Sequence, residues 1–263
     1  MKAIILCGGF SNEYEVPGSF YGPMADIQGK PVIWHIMKHF ARNGFNDFVI
    51  CVDHDRNPIK EFFLRYELMR RDFEIILGEP DHIQFLSENN EKGWKITFVN
   101  TEPGVMSGSM VKAAKKYVGG EDFIVTYGDR VTTLSIPEIV NHHVQKNKTG
   151  TALVVRSIGR FRNPQGRKTA LSELIDSKGL RPELIIGGLY VFNSRVFRHL
   201  PNKSNLSIEK LLEVLSVKKN KLSIFVYEGY GRQIDSEREA AQLRKNAHIL
   251  GTPKKVRKGL LTA

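Results

Sequence analysis

Four short, largely apolar runs at intervals through the first half of the chain limit what it can fold into more than any other feature. They are Ala3 to Cys7, Phe48 to Val52, Lys95 to Val99 and Phe123 to Tyr127. Ala3 to Cys7, Phe48 to Val52 and Phe123 to Tyr127 suit strands buried on both faces of a parallel sheet, and Lys95 to Val99, with polar Lys95 and Thr97, is a further strand in the same rhythm. The stretches between them have helical character. Pro31 opens an apolar repeat over 32–40 that stops before Gly44, and helices are expected near 58–70, 108–117 and 136–146. Strand and helix in alternation are the rhythm of an α/β protein with right-handed crossovers. Strands near 152–156, 188–192 and 222–227, a helix near 207–217 and a last helix near 236–248 make the second half more mixed. Neither an internal repeat nor a low-complexity linker divides the chain, so one domain over 1–249 and a basic tail over 250–263 are expected.

The net charge of +11 raises nucleic acid as a partner, and its distribution argues against that. Residues 244–263 hold six Lys or Arg and no acid, which leaves 33 basic against 28 acidic residues elsewhere. The excess is a tail, a segment type usually solvated, and no nucleic-acid motif accompanies it. The chain contains no run of about 18 apolar residues, so no membrane span is expected. With no signal-peptide pattern and both cysteines, Cys7 and Cys51, inside strand-like runs, buried free thiols and a cytoplasmic location are expected.

The polar residues at strand ends carry the chemistry. Gly8 and Gly9 directly follow the first apolar run, where backbone N–H groups can approach phosphate oxygens. Tyr127-Gly128-Asp129 sets a carboxylate at the C-terminal edge of the sheet, where open α/β sheets bind ligands. Asp235 follows a strand and the turn Gly229-Tyr230-Gly231. Two such carboxylates could share one Mg²⁺. Alternatively they are loop charges or caps, and Asp235, ahead of Ser236-Glu237-Arg238-Glu239, would make a good N-cap.

The order of these elements resembles the glucose-1-phosphate cytidylyltransferases, a family of sugar nucleotidyltransferases. The resemblance is carried by Met1 to Gly9, by Pro23-Met24-Ala25-Asp26-Ile27-Gln28-Gly29-Lys30-Pro31-Val32-Ile33-Trp34-His35-Ile36-Met37-Lys38, and by Phe48-Val49-Ile50-Cys51. It continues through Val99-Asn100-Thr101, Met106-Ser107-Gly108, Thr126 to Asp129, Gly187 to Phe192, and Gly229-Tyr230 leading to Asp235. The fold it implies is a Rossmann-like, GT-A-like nucleotidyltransferase: a mixed, mostly parallel sheet flanked by helices. About 1–150 would bind nucleotide, and about 151–249 the sugar phosphate and neighbouring subunits of a homo-oligomer. The implied reaction is attack of a sugar 1-phosphate oxygen on the α-phosphate of a nucleoside triphosphate, CTP by resemblance, with release of pyrophosphate. Asp129 and Asp235 match the metal ligands, with Mg²⁺ as cofactor. Leu6, Gly8, Gly9, Ser11, Glu13, Ser107, Gly108 and Gly128 fall at nucleotide-binding positions. Tyr127, Gly187 and Gly188 fall by the sugar phosphate, and Lys178 about where a lysine contacts that phosphate.

The departures from the family pattern are as informative. Where the family has Gly-Thr-Arg-Leu, this chain has Ser11-Asn12-Glu13-Tyr14, so a glutamate replaces the arginine. Pro-Lys-Pro-Met becomes Tyr21-Gly22-Pro23-Met24, and Ser107-Gly108-Ser109-Met110 lacks a further arginine. Each lost charge contact on a transferring phosphoryl group costs about two to three orders of magnitude or more. Two cations stand beside the metal-ligand positions, Arg130 where the family has glycine and Arg232 where it has glutamine. Either they supply relocated phosphate contacts and transfer survives, or they neutralise the aspartates and the protein is a non-catalytic binder of nucleotide, sugar phosphate or a partner subunit. His35 and His39 are expected to be packing or capping residues, His142-His143 a solvated helix face, Phe62, Phe63 and Tyr66 core or an oligomer contact, and Glu91-Lys92 and Lys218 to Asn220 exposed turns.

Overall fold

The computed structural model describes residues 1–8, 22–53, 57–78, 83–88, 91, 93–156, 184–200, 205–217 and 221–251. The first half runs β1 (Lys2–Cys7), β2 (Asp26–Ile27), β3 (Lys30–Pro31), α1 (Val32–Arg42), β4 (Asp47–Asp53), α2 (Asn57–Leu64), α3 (Tyr66–Arg70), β5 (Phe73–Ile75), β6 (Ile83–Phe85) and β7 (Lys95–Thr101). It continues through α4 (Ser107–Ala113), α5 (Lys115–Val118), β8 (Phe123–Tyr127), β9 (Arg130–Thr132) and α6 (Ile136–Lys146). The remainder is β10 (Gly150–Arg156), β11 (Leu184–Phe192), α7 (Ile208–Val217), β12 (Leu222–Tyr227), β13 (Gly231–Gln233) and α8 (Glu237–Lys245).

Seven strands form the central sheet in the order β12-β10-β11-β8-β1-β4-β7. The four apolar runs of the first half are its parallel block, with Leu6 opposite Tyr127 and Cys7 opposite Val52. β11 is antiparallel to both β8 and β10, while β12 runs parallel to β10, which makes the second half mixed. Side chains alternate between the two faces of β1. Ala3, Ile5 and Cys7 pack with α1, α6 and α8, whereas Ile4 and Leu6 pack with α4 and α7. Both faces are therefore covered, as an uninterrupted apolar strand requires. Within these layers, cutting a buried leucine such as Leu211 or Leu212 back to alanine costs about 2–5 kcal/mol.

Several local expectations need correction. The helix near 58–70 is interrupted at Arg65 (φ −95°, ψ 2°), and Tyr66, the first residue of α3, is buried against Trp34 and Glu91. The helix near 108–117 is likewise divided at Ala114. His143 is buried, its Nδ1 2.8 Å from Thr151 Oγ1, and His142 Nε2 lies 2.8 Å from Ser223 Oγ, so this helix face packs on the sheet instead of facing water. Glu91 is no loose turn charge, because it pairs with Lys38 at 3.0 Å and accepts a hydrogen bond from Tyr66. His35 and His39 are packing residues, each with Nε2 against a backbone carbonyl, of Ile27 and Leu134 respectively. Cys7 and Cys51 are buried free thiols, and burial pushes the Cys51 thiol up to about 12. No helix among the described residues is long and apolar enough to cross a membrane.

Candidate active site

Parallel strands end on one edge of a sheet, and β1, β4, β7 and β8 bring Gly8, Asp53, Thr101 and Asp129 together there. Gly8 follows β1 at very close quarters with β4: a Cβ at this position would stand 2.2 Å from Asp53 Oδ1. Only glycine fits such an approach. Asp53 is buried and its Oδ1 lies 3.4 Å from Thr101 Oγ1. Gly128 passes close to Cys7 Sγ and Pro23, and its N–H donates to Leu6 O at 2.8 Å.

A two-stranded ribbon, β9 with β13, brings the two candidate metal ligands together across more than a hundred residues of chain. Its register pairs Arg130 with Gln233 and Thr132 with Gly231, and Ile234 N–H donates to Asp129 O at 2.8 Å. Asp235 is one residue further on, so both carboxylates emerge at the same end of the ribbon. Gln233 Nε2 donates to Asp129 Oδ2 at 3.0 Å. The Asp129 carboxyl is half-buried, and burial holds it above the usual carboxylate range. Arg130 and the Gln233 hydrogen bond oppose that shift, and the negative charge of Asp235 adds to it. Asp235 itself is exposed, and the cap of α8 is Ser236, whose Oγ accepts from Glu239 N. Asp235 is thus free of the capping role that its sequence context offered.

No group of three or more His, Cys, Asp or Glu side chains suited to a metal occurs among the described residues. The pair nevertheless fits Mg²⁺, which takes oxygen ligands and is commonly held by one or two carboxylates with substrate phosphates and water completing its shell. A half-buried carboxylate whose ionised form is disfavoured by burial and by a second acid is one that a divalent cation would relieve.

Neither arginine forms an ion pair with either aspartate among the described residues. Arg232 turns to α8, with Nη1 2.8 Å from Glu239 Oε2 and 2.7 Å from Gln242 Oε1. Arg130 lies over the Tyr127 ring at 4.8 Å and donates from Nη1 to Ile186 O at 3.3 Å. Its path is opened by Gly188. There β11 has a bulge, the register with β10 shifting between Ala152 and Val154, and Gly188 adopts φ +72° with the Arg130 side chain where a Cβ would be. Gly187 is packed against Leu153. Among the described residues, Arg130 Nε and the Tyr190 hydroxyl are buried with no hydrogen-bond partner.

On the other side of β8, Ser107 Oγ accepts from Ile208 N at 2.9 Å and so caps α7 from a different element. Gly108 sits directly beneath Leu206 O. The Tyr127 hydroxyl donates to Glu209 Oε1 at 3.2 Å, and burial with the Glu209 charge raises its pKa. Sequence reasoning missed Gln233, Glu209, Asp53 and Tyr190. Glu209, an acid in the first turn of a predicted helix, was the only one with a local signal. Gly22 stands where the family resemblance has lysine. It adopts φ +70° and donates from its N–H to Ile234 O at 3.1 Å, so that departure lies beside the Asp235 arm. Gly9, Ser11, Glu13 and Lys178 lie outside the described residues.

Comparison with known proteins bears on this geometry. The profile of the family described as "Nucleotidyl transferase" matches residues 2–231. The chain is similar to a Bacillus subtilis protein named "Probable glucose-1-phosphate cytidylyltransferase", 30% identical over 93% of this chain and 95% of that one. It is also similar to a Salmonella typhi protein named "Glucose-1-phosphate cytidylyltransferase", 30% identical over 92% of this chain and 94% of that one. Among solved structures, a UDP-glucose pyrophosphorylase from Acinetobacter baumanii has the same fold, with a TM-score of 0.65 over 93% of this chain and 92% of that one at 13% identity. With the mostly parallel sheet and its helical layers, the profile match over nearly the whole described chain shows that this protein belongs to the nucleotidyl transferase family, among the sugar nucleotidyltransferases.

Proposed function

We propose that the protein transfers a nucleotidyl group, cytidylyl by likeness to its relatives, from a nucleoside triphosphate to a sugar 1-phosphate. The observation that carries the reading is the convergence of Asp129 and Asp235 at the end of the β9–β13 ribbon, with neither acid in an ion pair with an arginine among the described residues, although the Arg130 charge acts on Asp129. In the reaction a sugar phosphate oxygen forms a bond to the α-phosphorus. The bond from that phosphorus to the bridging oxygen breaks, and pyrophosphate leaves with the bonding pair. Mg²⁺ held by Asp129 and Asp235 would supply positive charge to the triphosphate. Gly8 and, by resemblance, Gly9 would offer backbone N–H groups to phosphate oxygens, and Gly128 allows the close approach to Cys7 and Pro23. Ser11, Glu13, Ser107 and Gly108 complete the proposed nucleotide side, and Tyr127, Gly187, Gly188 and Lys178 the sugar-phosphate side.

Arg130 provides a cation whose charge acts on Asp129 and is the candidate replacement for a lost phosphate-loop charge. Arg232 is better read as a positioning residue, because its ion pair with Glu239 fastens the ribbon to α8. Catalysis of this kind is mostly orientation and charge neutralisation, so a cation reaching the triphosphate from a new direction can serve. Pyrophosphate release measured across all four nucleoside triphosphates with a panel of sugar 1-phosphates tests the reading. Turnover with at least one pair is expected; none at high protein concentration would leave a binding protein without catalysis. Self-association is also proposed. Leu64, Met69, Leu77 and Leu86 expose large apolar side chains on α2, α3 and the β5–β6 hairpin, and sedimentation should show a species larger than one chain.

A further inference from the structure

The outer face of α1 carries a cavity, apart from the strand edge that holds the aspartates. It measures about 560 Å³ and is lined chiefly by Lys30, Trp34, Lys38, Tyr66, Arg70 and Arg71, with Glu88 and Glu91 at its side. None of these residues belongs to β8, β9 or β13. The cavity is held open by a fixed network. Trp34 Nε1 donates to Tyr66 Oη at 2.9 Å, Tyr66 Oη donates to Glu91 Oε2 at 3.0 Å, and Lys38 pairs with Glu91. Arg71 is fixed as well, donating from Nη1 to Glu67 at 2.9 Å and from Nε to Ser87 O at 2.7 Å.

Lys30 and Arg70 differ from these two cations. Among the described residues neither has a carboxylate within ion-pair distance. Lys30 Nζ donates to the Tyr66 hydroxyl at 2.6 Å and lies 4.3 Å from the Trp34 ring centre and 4.7 Å from that of Tyr66. Arg70 donates from Nη2 to Gly29 O, and among the described residues its other N–H groups have no acceptor. The two charges repel each other: burial first and then Arg70 hold the Lys30 ammonium below its usual range, with the Glu91 charge opposing the shift. Two like charges brought to one aromatic-walled hollow are stabilised by an anion able to meet both. A phosphate group, carrying about −1.5 to −2 charge at pH 7 as a monoester and three acceptor oxygens, matches a lysine point charge beside an arginine fork.

We propose that this cavity is a binding site for a phosphate-bearing small molecule, recognised by Lys30 and Arg70 over the Trp34 and Tyr66 rings and separate from the site of nucleotidyl transfer. The proposal stands whether or not transfer occurs. The chain has two tryptophans; Trp34 lines the cavity and Trp94 lies 6.1 Å from it, so intrinsic fluorescence reports on this place. The test titrates the full chain with inorganic phosphate and with tripolyphosphate, against potassium chloride at matched ionic strength. A saturable change with at least one phosphate probe, absent with chloride, is expected. Lys30→Gln and Arg70→Gln should each weaken it about tenfold or more, Arg70→Lys should restore part of the loss, and Asp129→Asn should leave it unchanged. No saturable change with either probe, an equal response to chloride, or an undiminished response in Lys30→Gln and Arg70→Gln variants that melt like the parent would overturn it.

Discussion

Asp129 is half-buried beside a second acid, and the fold disfavours its ionised form. Because its folded pKa is raised, its contribution to stability declines as pH climbs through that value, so ionising it burdens the native state. Asp129→Asn removes that burden. Pyrophosphate release should fall by about 10²-fold or more, while the Tm measured without metal should be no lower than that of the parent. A joint collapse of both would assign the residue to the scaffold alone. At Gly8 the expectation is the reverse. A methyl group there meets the Asp53 carboxylate, and Gly8→Ala should cost about 1–3 kcal/mol in denaturant unfolding, part of it recovered by adding Asp53→Ala. Both aspartates could be read from the chain because each follows a strand-like run with glycines beside it. The Gln233 contact to Asp129 and the Glu209 contact to Tyr127 could not, since each depends on pairing between segments 104 and 82 residues apart in sequence.

Among the elements, the β9–β13 ribbon is the one that matters most to the site and the one least visible beforehand. Each of its strands has three residues, too short for a periodic signal, and its register is set by the partner strand. The long apolar strands and α6 were legible because burial on both faces, or an apolar stripe next to Pro137, leaves a local imprint. The interruptions at Arg65 and Ala114 left none. The start of α7 also depends on a distant residue, its Ile208 N–H being bound by Ser107 Oγ. Ser107→Ala should therefore destabilise the fold by about 0.5–2 kcal/mol, measurable by urea unfolding, with slower hydrogen exchange at Ile208 lost in the variant. An unchanged exchange rate at that amide would mean the cap contributes little.

For the molecule as a whole, three histidines report on acid stability. Burial lowers the pKa of His35, His39 and His143 from the usual 6.5, with the Ile27 and Leu134 carbonyls opposing the shift at the first two and Asp122 at the third. Below pH 6.5 the unfolded chain takes up protons that the native rings resist, so stability is lost as pH falls. The Tm should drop between pH 7.5 and 5.5, and less steeply in His143→Gln, which spares one of those protonations. The layered architecture was legible in the sequence because many buried positions contribute to it, whereas the cavity around Lys30 was not, since its lining comes from three separated segments.

The most direct test of the proposed chemistry is calorimetric titration of CTP with and without Mg²⁺, in the parent chain and in Asp129→Asn and Asp235→Asn. Tighter binding in the presence of the metal is expected, with that gain lost in both variants. Metal-independent affinity in the parent, equal to that of the variants, would contradict a magnesium–triphosphate site at the ribbon's end.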